Sequence, residues 1–230
     1  MSDSGRTAAY YIGLDLGKRQ DYTALTVVAE REKQERHRRT FEDRAQTETA
    51  LRWAFSGHWL QHLQRWSLGT KYAKIAADVA ELTRRPPFRR VETTLVVDRG
   101  GVGEAVYEQI AGRAGNGPAD LVGVTITGGK KVTAAGAGHS RVPKRDLVAA
   151  LQVAVQNGEI RAASELELWP TLRGEMESFT AEITETGHET YEARQGEHDD
   201  LVLALALPVW LSAFKRRRLD SDPPPPTVSF

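Results

Sequence analysis

The sequence predicts an α/β fold in which helices flank a mixed sheet. Apolar, β-branched segments of strand length alternate with segments of helical spacing along most of the 230 residues, which is the pattern of a layered α/β domain. The first two strand-like segments, 10–16 and 22–29, are joined by a polar turn that contains Gly17. Such a pair is typical of a hairpin of two central strands, so the sheet is expected to be mixed rather than wholly parallel.

The remaining elements follow in order. Alternation predicts a third strand at 58–66, and helical spacing predicts a helix at 72–82, which Pro86 and Pro87 end. Strands are then expected at 93–98 and 121–127, with a helix at 102–111 between them. The glycine-rich stretch 128–138 is expected to form a mobile loop or hairpin over one sheet edge.

The last third of the chain is predicted to be mainly helical. Pro143 suits the first turn of a helix that extends to Gly158, and a second helix is expected at 165–178. Segments 179–183 and 188–191 flank Gly187 and predict a small hairpin. A final helix is expected from about residue 197, kinked or divided at Pro208.

Length and composition indicate one soluble globular domain. We expect a flexible N-terminus at 1–9, a single domain at 10–214 and a disordered tail at 215–230, which is basic and then proline-rich. The longest apolar stretch, 201–211, is too short to span a bilayer and no signal-peptide core precedes it, so no membrane association is expected. Cysteine is absent, which fits a reducing cytoplasm and excludes disulfides and thiolate metal sites.

Carboxylates stand where three predicted elements end or begin. Asp15 lies at the end of the first strand, Asp98 at the end of the 93–98 strand, and Asp199 and Asp200 at the start of the final helix. Asp15 and Asp98 could each be an ordinary turn residue. One of Asp199 and Asp200 could simply be the N-cap of the final helix. A single cap leaves the other aspartate unexplained, and Asp200 shares a helix face with core positions and therefore points inward.

Divalent metal binding is the chemistry that best explains these carboxylates together. Buried carboxylates cost several kcal/mol each, roughly, unless cations or hydrogen bonds compensate them. Oxygen ligands without cysteine favour Mg²⁺ or Mn²⁺. Two such ions about 4 Å apart activate water and stabilise both oxygens of a phosphoryl displacement. Asp15, Asp98, Asp199 and Asp200 are therefore the candidate metal ligands of a metal-dependent nuclease; His198 is read as an ordinary loop histidine, with ligand or proton shuttle as alternatives.

The chain resembles the nuclease domain of the large subunit of tailed-phage terminases, from about residue 10 to 211. The matching motifs are Gly-Leu-Asp at 13–15 with 21–25, Val-Asp at 97–98 with 100–103, Val-Pro-Lys at 142–144, and the segment 196–207 with its His-Asp-Asp-Leu. The resemblance implies a ribonuclease H-like fold with strand order 3-2-1-4-5. It also implies that Asp15, Asp98, and Asp199 or Asp200 or both bind metal. A further acidic position of many relatives is Leu203 here, which puts strong occupancy of a second metal in doubt.

The resemblance further implies an endonuclease that cuts concatemeric viral DNA during genome packaging. The phosphate-binding motif of the terminase ATPase is absent from this sequence, so the chain is expected to be either an excised nuclease domain or a free-standing relative whose motor, if any, is another protein. A separate ATPase motor, a small terminase subunit or a portal are the expected partners. The expected location is the bacterial host cytoplasm, with a phage or prophage origin. Double-stranded DNA is the expected substrate.

Because the formal net charge is zero, attraction to DNA must come from local patches. Five cations flank the glycine-rich stretch and are candidates for phosphate contacts, although a solvated surface loop explains each of them individually: Lys130, Lys131, Arg141, Lys144 and Arg145. Contacts of this kind would be salt-dependent and indifferent to base sequence.

Three alternatives remain open. A Holliday-junction resolvase would share the fold and metals but prefer branched DNA. A non-catalytic DNA-binding or assembly module would keep the fold without turnover. The segment 12–17 also looks like the first phosphate loop of actin-like ATPases and sugar kinases, but a second lobe has no room in 230 residues.

Overall fold

The computed structural model describes residues 5–17, 21–40, 47–114, 119–163, 165–185 and 198–221. Within these residues eight strands form one sheet: β1 Arg6–Asp15, β2 Thr23–Thr40, β3 Thr47–Trp66, β4 Glu92–Asp98, β5 Ala119–Thr127, β6 Thr133–Gly136, β7 His139–Pro143 and β8 Ile160–Ala162. The described helices are α1 Tyr72–Arg84, α2 Gly103–Ala114, α3 Lys144–Gln156, α4 Trp169–Glu185 and α5 Asp200–Ser221.

The sheet is mixed, as predicted, and its full order is β6-β7-β5-β4-β1-β2-β3-β8. β1 pairs antiparallel with β2 and parallel with β4, which in turn pairs parallel with β5. Strands β3, β2, β1, β4 and β5 are neighbours in that sequence, but the whole order differs from the predicted 3-2-1-4-5 because both edges are extended. The short strand β8 adds to β3, and the hairpin β6–β7 adds to β5.

Two apolar cores lie on opposite faces of the sheet because side chains alternate along the strands. Tyr11 of β1 packs with the face that α3 and α5 cover, whereas Ile12 and Leu14 pack with α1 and α2 on the other. Residues 201–212 of α5 are all buried, which makes α5 the central helix of the first face. The start of α5 is thereby held firmly against the sheet.

The final helix is continuous from Asp200 to Ser221, so it is not divided at Pro208, which was one of the two predicted outcomes. Proline removes the N–H that would donate to the carbonyl oxygen four residues earlier, at Ala204. That oxygen instead accepts a hydrogen bond from Thr26 Oγ1 on β2 at 2.7 Å. A side chain of the sheet therefore replaces the missing backbone donor, and the helix continues.

Other boundaries differ from the prediction in identifiable ways. The predicted strand 179–183 is wrong, because α4 continues to Glu185, and apolar positions four residues apart such as Phe179 and Ile183 suit a helix equally well. Its predicted partner 188–191 lies outside the described residues. β1 begins at Arg6, inside the segment expected to be flexible, because its pairing with β2 extends to Arg6 opposite Glu32.

The basic segment 215–221 lies in α5 rather than in a disordered tail. Lys215 Nζ is 3.2 Å from Thr94 Oγ1, and Arg216 donates to the buried Glu30 at 3.0 Å, so both cations have partners on the sheet. The rest of the predicted tail, 222–230, lies outside the described residues, as do 1–4. In the described part of the chain, no helix is both long and apolar enough to cross a membrane.

Candidate metal centre

Asp15 and Asp98 end two neighbouring parallel strands. The last paired positions of β1 and β4 are Leu14 and Val97, and each aspartate follows directly. Because both strands run in the same direction, the two carboxylates emerge at the same edge of the sheet. Asp15 is buried, with 8% of its surface exposed, and Asp98 is half-buried.

The turn after β4 fixes Asp98. Its Oδ1 accepts a hydrogen bond from the Gly100 backbone N–H at 2.9 Å. The turn then folds so tightly that a Cβ on Gly103 would lie 2.0 Å from the Asp98 carbonyl oxygen. Only glycine fits at that position, which explains the glycine-rich sequence after Asp98 and why α2 starts there.

The start of α5 brings Asp199 and Asp200 to the same edge. Gly13 makes this possible, because a Cβ there would lie 1.9 Å from the Ala204 carbonyl oxygen, so α5 crosses β1 at backbone distance. Asp200 is 3% exposed, and its Oδ2 is buried without a hydrogen-bond partner. Asp199 is half-buried and accepts from Lys144 Nζ at 2.8 Å.

The four carboxylates lie close enough to repel one another electrostatically. Burial raises the pKa of Asp15 well above its ordinary value, and the negative charges of Asp98, Asp200 and Asp199 raise that pKa further. The Lys144 ammonium opposes this rise. The charges of the other three aspartates therefore act on Asp15, although the four residues lie on separate elements of the sequence.

Two further residues that the sequence did not single out complete the site. Arg65 of β3 donates to Glu175 Oε1 of α4, and the same nitrogen, Nη2, lies 3.5 Å from Asp200 Oδ2. Burial raises the pKa of Glu175 to about 7 and that of Asp200 to about 6, although Arg65 opposes both rises. The one sequence signal for Glu175 is its position three residues after the buried Leu172, on the inward face of α4.

His198 lies at the rim of the site. Its imidazole is 40% exposed, and Nδ1 is 3.9 Å from Asp200 Oδ2, beyond hydrogen-bond distance. The ring contacts Tyr22 edge to face at 5.0 Å between centroids. Tyr22 in turn lies under the Arg65 guanidinium, 4.8 Å from ring centroid to Cζ.

The donor set fits a divalent cation in its chemistry. All candidate ligands are carboxylate oxygens, which hard cations such as Mg²⁺ and Mn²⁺ prefer, and the orphaned Asp200 Oδ2 is a buried acceptor that lacks a donor. Among the described residues, however, no three acidic or histidine side chains already surround one point as a preformed metal cage. Side-chain rotation would have to bring the oxygens together around the ion.

Of the five cations predicted to contact DNA, one lies in the carboxylate cluster. Lys144 opens α3 and pairs with Asp199. Arg145 donates to the Lys130 carbonyl oxygen at 2.6 Å, which ties α3 to the loop before β6. Lys130, Lys131 and Arg141 are exposed around the β6–β7 hairpin, and no described hydrogen bond or ion pair joins their side chains to the aspartates.

Neither the protein-family models nor the curated proteins gave a match. A comparison with solved structures did give matches. The chain superposes on the terminase nuclease domain of human cytomegalovirus, soaked with Mn and bound to an inhibitor, with a TM-score of 0.50 and 13% identity over 90% of this chain and 83% of that one. Thermus thermophilus RuvC matches with a TM-score of 0.43 and 17% identity over 90% of this chain and 96% of RuvC. The likeness to the cytomegalovirus domain shows that the chain has a ribonuclease H-like α/β fold.

Proposed function

We propose that this protein is a divalent-metal-dependent nuclease that hydrolyses phosphodiester bonds of double-stranded DNA. The observation that carries the proposal is the arrangement of Asp15, Asp98, Asp199 and Asp200 at one sheet edge, with Asp15 in the electrostatic range of the other three. Buried like charges destabilise a fold unless a cation compensates them. A bound divalent cation would provide that compensation, which supports a metal site at this end of the sheet.

The roles of the residues follow from their positions. Asp15 and Asp98 would bind metal from the strand ends, and Asp199 and Asp200 from the helix. When bound, one or two Mg²⁺ or Mn²⁺ ions supply an activated water and neutralise charge on the scissile phosphate. Lys144 places an ammonium group beside the same carboxylates, where a phosphate oxygen of the substrate could accept from it.

The exposed cations around the β6–β7 hairpin would position the DNA backbone. Lys130, Lys131 and Arg141 are solvent-accessible, so phosphate contacts require no rearrangement of the core. Their contribution to binding would fall steeply with salt concentration. Arg145, tied to the Lys130 carbonyl, would hold the loop in place.

The finer role we propose is that of a terminase large-subunit nuclease that cuts concatemeric viral DNA. The sequence motifs at 13–15, 97–103, 142–144 and 196–207 support this role, and the likeness to a viral terminase nuclease domain is compatible with it. An ATPase motor, a small terminase subunit or a portal would then be the other components that it works with.

Cleavage of supercoiled plasmid tests the proposal. Purified protein is incubated with Mg²⁺, Mn²⁺ or chelator, and nicked and linear products are quantified. We expect wild-type protein to cut DNA with metal and not with chelator. The Asp98→Asn variant should not cut, and its circular dichroism spectrum should show that the fold is retained. Asp120→Asn is the matched control, since Asp120 is an exposed aspartate on β5, the strand next to β4, and should cut like wild type.

The result that would overturn the proposal is equally direct. If wild-type protein neither cuts DNA with either metal nor binds metal by calorimetry, a non-catalytic DNA-binding module becomes the better explanation. Preferential cutting of four-way junctions over linear duplex would instead assign the protein to the resolvase alternative.

A further inference from the structure

The N-terminus of α5 is capped from another helix. Leu201 and Val202 donate their backbone N–H groups to Glu175 Oε2 on α4, at 3.0 and 3.1 Å. These two donors are among those that a helix start leaves without an internal partner, and an aspartate immediately before the helix commonly accepts them. Asp199 holds that preceding position, but its carboxylate pairs with Lys144 instead. Glu175 therefore releases Asp199 from capping.

The second oxygen of Glu175 binds the guanidinium group of Arg65. Glu175 Oε1 accepts from Arg65 Nη2, whereas Asp200 Oδ2 lies 3.5 Å from that nitrogen and makes no hydrogen bond. The side chains of all three residues are at most 15% exposed, so water cannot readily replace a lost partner. Glu175 is thus the preferred partner of Arg65, and Asp200 keeps an oxygen without a donor.

We propose that Glu175 is a positioning residue for the metal site, which keeps both Asp199 and Asp200 available to a divalent cation by capping α5 and by holding Arg65. This inference rests on the proposed function and deepens it. We assign Glu175 this supporting role rather than that of a ligand because its carboxylate already accepts three hydrogen bonds, from Arg65, Leu201 and Val202. Groups that orient metal ligands in this way commonly change metal affinity by about 10- to 100-fold when they are replaced.

Removal of the two functions of Glu175 should have distinct effects. If Glu175 lost its negative charge, the Arg65 guanidinium would turn to the nearest remaining carboxylate, that of Asp200. Arg65 would then compete with the divalent cation for Asp200. Without any oxygen at this position, the N–H groups of Leu201 and Val202 would also lose their acceptor. Asp199 would then be drawn back to the cap and away from the site.

The test is calorimetric titration of Mn²⁺ into metal-free protein, which needs no DNA and no turnover. Glu175→Gln keeps a capping oxygen but removes the charge, and should weaken Mn²⁺ binding about ten-fold. Adding Arg65→Met removes the competing cation and should recover most of that loss. Glu175→Ala removes both functions and should bind more weakly than Glu175→Gln. Glu177→Gln is the matched control, since Glu177 is an exposed carboxylate on α4 paired with Arg173, and should bind like wild type.

Because removal of an unpaired buried charge can also restore stability, the thermal unfolding of each variant is measured without metal, and the rescue counts as positioning only among variants that are folded at the titration temperature. Unchanged affinity in Glu175→Gln, or a loss that Arg65→Met leaves uncorrected, overturns the proposal. Glu175→Gln preserves the test if Glu175→Ala fails to fold. If wild-type protein itself binds no Mn²⁺, the proposed function fails and this proposal fails with it; tight binding by both wild type and Glu175→Gln defeats the positioning role alone.

Discussion

Gly13 is the residue on which the approach of α5 to the sheet depends. A Cβ at this position would lie 1.9 Å from the Ala204 carbonyl oxygen and 2.5 Å from Pro208 Cδ, so even alanine would push the helix away from β1. We expect Gly13→Ala to lower the free energy of unfolding by about 3 kcal/mol, the upper end of typical overpacking effects. Urea denaturation followed by circular dichroism measures this change.

Gly112→Ala is the control for that substitution. Gly112 lies inside α2, and a Cβ there would meet nothing within 4 Å, so alanine should raise the free energy of unfolding by up to about 1 kcal/mol through helix propensity. Equal effects of the two substitutions would contradict the close crossing of β1 and α5.

His58 is a buried neutral imidazole, and its titration should limit stability in acid. Ser212 Oγ donates its single proton to Glu30, so His58 Nε2 must donate to Ser212 and Nδ1 is left unprotonated. Burial, with help from Arg216, lowers the pKa of His58 to about 3. Between pH 3 and its ordinary value near 6.5 the unfolded chain therefore binds more protons, so stability falls as pH falls.

The expected contribution of His58 is measurable by comparison with a variant. Between pH 7.5 and 5.0, wild type should lose about 2 kcal/mol more of its free energy of unfolding than His58→Gln does. The exposed His62→Gln should follow wild type. A pH dependence that is identical in all three proteins would show that His58 is not the buried neutral group described.

At this scale the positions of the four aspartates at the ends of elements were predictable from sequence, although their metal binding stays a prediction, and the positions of Arg65 and Glu175 beside them were not predictable. Asp15, Asp98, Asp199 and Asp200 each interrupt an apolar pattern at an element terminus, which is a local signal. Glu175 acts through α5, 26 positions away from Leu201 along the chain. No local pattern encodes such a contact, so it emerges only once α4 and α5 are packed together.

At the scale of elements, the continuity of α5 depends on one hydrogen bond from β2. Thr26→Val would keep the shape of the side chain but leave the buried Ala204 carbonyl without a donor. We expect a loss of about 1–3 kcal/mol in the free energy of unfolding, measured by urea denaturation. Pro208→Ala in the same chain restores a backbone N–H four residues after Ala204 and should recover most of the loss.

The two substitutions form a double-mutant cycle. If Thr26 replaces the donor that proline lacks, Thr26→Val should cost clearly less in the Pro208→Ala background than in wild type. Additive effects would mean that the hydroxyl and the proline act independently, and would contradict this account of the unbroken helix.

Sequence reasoning located most elements but misjudged several ends. The strands at 10–16 and 93–98 were visible because they are continuously apolar. The outer part of β2, residues 30–40, is by contrast highly charged, and it pairs through backbone hydrogen bonds with the outer part of β3, as far as Thr40 opposite Thr47. Because the outer part of β2 has no apolar alternation, the prediction ended that strand too early; it also began the third strand at residue 58, whereas β3 begins at Thr47.

At the scale of the whole molecule, the mixed sheet, its helical layers and a loop or hairpin at one edge were predicted, whereas the strand at the opposite edge, β8, was not. β8 is three residues long and joins β3 only because the chain returns there after α3. A segment this short carries no periodic signal, and its pairing depends on the position of every element before it. The edge strand β8 is therefore the least predictable part of this sheet.

Removal of one charge from the acidic site should stabilise the metal-free protein and weaken its stabilisation by metal. Asp15 is buried among like charges, so in chelator Asp15→Asn should raise the free energy of unfolding, since asparagine keeps the shape without the charge. Mn²⁺ at 100 times its dissociation constant should stabilise wild type by about 2.7 kcal/mol and Asp15→Asn far less. Thermal unfolding in chelator and in Mn²⁺ measures both effects, with Asp120→Asn expected to match wild type in each. Loss of stability by Asp15→Asn in chelator would instead show that this carboxylate holds the fold together, which is the turn role that the sequence left open.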